Sequence, residues 1–239
     1  MKKLIASILA ALTLCMAAMP AFAEEAPPVP EPAATGPILW YHVGTVLSAE
    51  DSAACAKIRE VGGKMGYTSY ISNLPTASAV YNAMPQSAIS ILHGHGGAGF
   101  FRLDAKTESG KPYQYISVYD NIANIHKNIY DYPDNELAGN SIVMFLSCDS
   151  AGFYSGTSLV QGALDRGAKC ALGFQFSVEG AEDWAKLFME YSHNRITIRE
   201  AISQVKDNYE DIYGKHPNSP VGIANLVALG DLDQKLRIN

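Results

Sequence analysis

Five consecutive apolar residues, Ile142-Val143-Met144-Phe145-Leu146, run without polar alternation straight into Ser147-Cys148-Asp149-Ser150. Strand side chains alternate between faces, so an unbroken apolar run of this length reads as a strand buried on both sides. Such a strand belongs in the middle of a sheet that carries a layer on each face. Gly152 and Gly156 then loosen the backbone before Thr157, which can cap a following helix. Cys148 is therefore expected at the C-terminal end of a central strand, the edge where ligands and catalytic groups of open α/β sheets collect. A second run, Ala88-Ile89-Ser90-Ile91-Leu92, ends in His93-Gly94-His95-Gly96-Gly97-Ala98-Gly99. If the two strands are parallel neighbours, a thiol and an imidazole share one sheet edge.

The rest of the chain alternates between strand and helix patterns. Residues 38–43, 67–71, 169–178 and 223–229 read as further strands, with a short one at 115–119. Ser48-x-x-Asp51 and Thr197-x-x-Glu200 are capping boxes for helices whose apolar positions include Ala54, Ile58, Val61 and Met65, and Ala201, Ile202, Val205, Tyr209 and Ile212. Helices are also expected over 76–84, from Asp120 with Ile122, Ile125 and Ile129 inward, over 157–166, and around Trp184, Leu187, Phe188 and Tyr191. Strands separated by helices imply right-handed crossovers. The expected fold class is α/β, a three-layer α/β/α sandwich with a mostly parallel central sheet.

Residues 1–23 read as a signal peptide: Lys2 and Lys3 precede an apolar run, and Ala21-Phe22-Ala23 is a small-x-small cleavage site. Residues 24–37 carry five prolines among alanines and glutamates, a linker with little to bury, which leaves 38–239 as one folded domain. These features predict a secreted or periplasmic protein. The net charge is −6 for the full chain, and more negative once Lys2 and Lys3 are removed. Nucleic acid and anionic membrane are thus disfavoured as partners, and no later run is long enough to span a bilayer.

Three chemistries fit the two loops. A thiolate at Cys148 with a histidine at the same edge suits acyl transfer, the histidine protonating the leaving amine and backbone N–H groups stabilising the oxyanion. His93 and His95 lie two apart, so only one is expected to face the thiol. A zinc site from His-x-His, Asp104 and a cysteine lacks both a Cys-x-x-Cys and a helical His-x-x-x-His, so no metal is expected. Ser150 is the third candidate: CDSAG echoes the nucleophile elbow of α/β-hydrolases, with Cys148 standing where the elbow has its first glycine. Of the cysteines left after the leader, Cys55 and Cys170 can form one bridge with Cys148 free, or both remain buried thiols.

Gly94-His95-Gly96 after one apolar strand and LSCDSAG after the next resemble the caspase-like cysteine peptidases, the group that includes gingipains, separase, legumain and CHAT-type bacterial peptidases. Residues 167–174 resemble the strand after the cysteine helix in CHAT-type domains, and 185–205 their paired helices. Residues 226–237 are similar to the closing strand of gingipains, with Leu232 where those usually have proline. The resemblance covers residues 37–239. It implies a cysteine endopeptidase without cofactor that acts on a peptide or protein substrate. Because Gly94 matches the small residue before the family histidine and Leu92 does not, the resemblance gives His95 the catalytic role with Cys148. Gly96 and Cys148 then supply oxyanion N–H groups, and His93 supports from behind. In separase-like members an acidic residue after the strand that follows the cysteine helix reads a basic side chain, which points to Glu179 ahead of Glu182 and Asp183. A serine esterase using Ser150 and a catalytically silent caspase-like binding domain are the alternatives. Oligomeric state is open.

Overall fold

A computed structural model of the chain describes residues 37–104, 113–120, 126–214 and 225–236. The chain divides into Met1–Ala33 and Ala34–Asn239, and everything below concerns the second unit. The expected leader, 1–23, and all but residue 37 of the expected linker lie outside the described residues.

Six strands form the central sheet: β1 (Ile38–Val43), β2 (Thr68–Asn73), β3 (Ile89–His93), β8 (Ile142–Leu146), β9 (Cys170–Phe174) and β10 (Leu226–Gly230). Their order is β10-β9-β8-β3-β1-β2, and only β10 is antiparallel to its neighbour. The two apolar runs are thus central strands and direct parallel neighbours, in a register that sets Ile89 against Ile142 and His93 against Leu146. Every residue of β3, β8 and β9 is buried. Full burial of one large apolar side chain contributes about 1.5–3 kcal/mol, so these strands supply much of the drive to form the sheet.

Alternation then sorts the side chains into two layers. Ile142, Met144 and Leu146 meet α1 (Ala49–Lys64), α4 (Ala181–Ser192) and α5 (Ile198–Tyr213) on one face. Val143 and Phe145 meet α2 (Ala77–Ala83) and α3 (Leu159–Asp165) on the other, together with Phe101, Leu103 and Ile116. The architecture is a three-layer α/β/α sandwich. Both expected capping boxes are present, with Ser48 reciprocating Asp51 and Thr197 reciprocating Glu200.

Several expectations need correction. The glycine-rich segment after β3 is not a loop but the start of a second sheet, ordered β4 (His95–Gly97), β5 (Phe100–Leu103), β6 (Gln114–Ser117) and β7 (His126–Asn128). Gly99, at φ +78°, makes the tight turn between β4 and β5. No helix runs through Ile129: 126–128 is a strand and Ile129–Asp131 a single 3-10 turn, while Ile122 and Ile125 lie outside the described residues. Ser158, not Thr157, caps α3, and β9 ends at Phe174 rather than at 178. Ile212, expected inward, is 54% exposed in the last turn of α5. Cys55, Cys148 and Cys170 are all free thiols, so no bridge joins Cys55 to Cys170.

Candidate functional site

The parallel ladder between β3 and β8 carries on one step past the strands, where Gly94 N–H donates to Leu146 O at 3.2 Å. There the chains part: one enters β4 with His95, the other turns through Ser147 and Cys148. They remain in tight contact. A Cβ on Gly96 would lie 2.5 Å from Ser147 Oγ and 2.9 Å from Cys148 O, so only glycine lets the histidine strand pass this close to the cysteine turn. His95 and Cys148 are therefore brought to the same C-terminal edge by adjacent strands. His95 is exposed and pairs across the hairpin with Arg102, while Cys148 is half-buried.

Cys148 is held from the β9–α4 loop, residues 175–180. Val178 N–H donates to Sγ at 3.4 Å, and Val178 O lies 3.7 Å from the same sulfur. Among the described residues no hydrogen bond joins Sγ to His95. A resting thiol and imidazole that are not yet bonded are compatible with a dyad that closes on substrate. The two loops also grip each other at Asp149, whose N–H donates to Phe176 O at 2.7 Å while its Oδ1 accepts from Phe176 N–H at 3.4 Å. Both residues sit in the left-handed region, Asp149 at φ +51° and Phe176 at φ +63°. Phe176 is 68% exposed, so the strained backbone holds a bulky aromatic ring out in solvent two residues before Val178.

Ser150 does not fit a nucleophile's place. It is fully buried; its hydroxyl lies 2.9 Å from the carbonyls of Phe145 and Ser147 and accepts Phe174 N–H at 3.1 Å. A Cβ on Gly173 would come 2.7 Å from this hydroxyl, so β9 is shaped around it. Ser150 ties the cysteine turn to β9 and offers no hydroxyl to a substrate.

His93 points into the α1/α4 layer. Its Nε2 is 3.4 Å from Glu182 Oε2, its ring meets Tyr41 edge-on, and the Cys55 side chain stands nearby. Burial opposes a charge on this imidazole, but Cys55 and the Glu182 carboxylate outweigh burial and push it up to about 9. Its Nδ1 is buried without a hydrogen-bond partner, so Nε2 is the nitrogen that meets Glu182. Asp104 accepts from Arg102 Nε at 2.9 Å and Thr45 Oγ1 at 3.1 Å, away from any histidine pair, and among the described residues no three His, Cys, Asp or Glu side chains cluster as metal ligands. Glu179 is exposed and directly follows Val178; Asp183 lies 3.9 Å from Lys186.

Sequence reasoning missed the grip of Val178 on the thiol, the strained Asp149–Phe176 contact and the His93–Glu182 pair. An Asp tolerates positive φ better than most residues, but no residue pattern signals it at a Phe. The hairpin was readable, because Gly97-Ala98-Gly99 followed by Phe100-Phe101-Arg102-Leu103 is a turn and a strand. Compared with protein-family models the chain matches none, and no curated protein matches it.

Proposed function

We propose that this protein is a cysteine endopeptidase of the caspase-like kind, with Cys148 as nucleophile and His95 as general acid and base. The observation that carries the reading is the Gly96 contact, which ties the histidine strand to the cysteine turn at the C-terminal edge of two neighbouring parallel strands. In the reaction Sγ bonds to the scissile carbonyl carbon, and His95 gives a proton to the departing amine. Water then releases the acid and restores the thiol. By the resemblance the oxyanion goes to the N–H groups of Gly96 and Cys148; those of Asp149, Ala151 and Gly152 are committed to the Phe176, Phe174 and Asp149 carbonyls.

Cleavage after Arg or Lys, read by Glu179, is the specificity that goes with this reading. Glu182 faces His93, whereas Glu179 is exposed one residue beyond the Val178 grip on sulfur. A carboxylate there can form a charge-assisted pair with a basic side chain. Export by the residue 1–23 leader is part of the same proposal. Among the described residues no helix is long and apolar enough to cross a membrane.

A library of fluorogenic peptides assayed on the mature domain tests both parts. Hydrolysis lost in Cys148→Ala and in His95→Ala supports the dyad, and loss of the Arg/Lys preference in Glu179→Ala supports the reader. A folded protein that binds peptides at this edge without cleaving them makes it a silent binding domain, a reading the exposed Phe153, Tyr154 and Phe176 rings also suit.

A further inference from the structure

The loop that grips Cys148 is itself held at both ends. At its start, Gln175 N–H donates to Asn225 O at 2.8 Å and Phe176 is locked to Asp149. At its end, Tyr209 Oη donates to Gly180 O at 3.1 Å, and two residues later Glu182 faces His93 across 3.4 Å. The last contact differs from the others in kind. It joins the end of β3, the strand that leads into His95, to the first turn of α4, the helix that carries the thiol-gripping loop. One charged pair therefore connects the supports of both proposed catalytic residues.

We infer that His93 and Glu182 form a positioning pair that holds the 175–180 loop, and with it the Val178 contact, against Cys148. This rests on the peptidase reading only for its effect on turnover; the mechanical link stands without it. The groups facing the pair are Tyr41 from β1, Asp51 and Cys55 from α1, and Glu182 itself from α4. Asp51 is committed to capping α1 at Ser48 and feels His93 only through its charge, so Glu182 is the partner of His93, their side chains only 16% and 10% exposed. Losing the charge on either partner frees α4's first turn to shift, and the loop shifts with it. A displacement of about 1 Å at a reacting group lowers turnover by up to about a hundredfold.

Hydrogen exchange of the Val178 amide is the direct readout, since that N–H is the donor to sulfur. In Glu182→Gln and in His93→Gln its protection is expected to fall at least about tenfold while that of Met144, in the sheet centre, stays level. Glu182→Asp, which keeps the charge, is expected to recover part of it. Peptide hydrolysis by the charge-removing variants is expected to show lower kcat at unchanged KM. Should these variants not fold, the native protein carries the test alone: Val178 protection, corrected for intrinsic base catalysis, is expected to fall as pH rises through about 9 and His93 loses its proton. Unchanged Val178 protection in folded Glu182→Gln, or a flat profile through that pH in the native protein, overturns the inference. Absence of Cys148-dependent hydrolysis with the exchange results as expected removes the peptidase reading and leaves the positioning pair intact.

Discussion

The two ends of the central sheet are built differently. At the C-terminal end of the parallel strands, four non-glycine residues hold positive φ: Leu74 after β2, Asp149 and Ser155 after β8, and Phe176 after β9. The same loops expose Val46, Leu74, Phe153, Tyr154 and Phe176. The opposite end has two of its own, Asn135 before β8 and Arg195 after α4, and there side chains tie the loops together. Ser90 Oγ donates to Asn140 Oδ1 at 2.8 Å and Asn140 Nδ2 donates to Met84 O at 2.8 Å, while Ser141 and Lys169 N–H groups close on Ala88 and Asn140 carbonyls. Each end holds one cysteine of a neighbouring strand. Cys170 opens β9, fully buried, and burial with Asp231 nearby pushes its thiol up to about 12; Cys148 follows β8 half-buried with backbone on its sulfur. Strain and exposed apolar surface carry a cost, and they persist where the surrounding structure over-determines them for a purpose. The difference teaches that buried side-chain hydrogen bonds knit one end of the sheet together, while the other end exposes more apolar surface, as the proposed function requires.

The largest expected effect breaks the symmetry between these cysteines. Cys148→Ala is expected to lower peptide hydrolysis by about a thousandfold or more, the scale seen when a nucleophile is removed. Cys170→Ala is expected to leave kcat unchanged and to shift only the urea midpoint. Equal activity losses from the two would erase the contrast.

How far the sequence discloses this contrast depends on the residues concerned. Burial of β3 and β8 was legible because runs that are apolar on both faces belong in the middle of a sheet, and the capping boxes at Ser48 and Thr197 were legible because their chemistry is local. The edge shared by His95 and Cys148 followed from the same runs. What was not legible is non-local: Val178 meets Cys148 across 30 residues, and His93 meets Glu182 across a strand and a helix. The segment after Asp120 misled at Ile129, whose place in a helical spacing of isoleucines did not disclose the strand and 3-10 turn found at 126–131.

Two buried histidines set the next largest effect. His42, whose Nδ1 lies 2.8 Å from Ser72 Oγ, is lowered by burial to about 4. As pH falls from about 6.5 toward 4, the unfolded chain takes up a proton that the folded chain refuses, so stability drops by about 3 kcal/mol. His93 acts in the opposite sense. Its stabilisation is complete below about 6.5 and is lost, by about 3 kcal/mol, as pH rises through about 9. Urea unfolding across this range is expected to peak between the two limits; in His93→Gln the alkaline decline is expected to vanish while the acid decline remains.

The smallest effect compares two glycines. Gly96→Ala forces a Cβ against Ser147 and Cys148, which is expected to cost about 1–3 kcal/mol and to slow hydrolysis. At Gly63, in α1, a Cβ meets nothing within 4 Å, and Gly63→Ala is expected to stabilise by about 0.5–1 kcal/mol with activity unchanged. Paired melting curves and turnover assays separate a contact that serves the site from one that serves only the helix.

Trapping the nucleophile is the most direct test of the central claim. The mature domain is treated with a peptidyl chloromethyl ketone ending in arginine, and the adduct is located by mass spectrometry after digestion. The expected result is a single modification on Cys148, with Cys55 and Cys170 untouched, and a much slower reaction in His95→Ala. No adduct on Cys148 in folded protein that still hydrolyses peptides, or an adduct on Ser150 instead, would contradict the assignment.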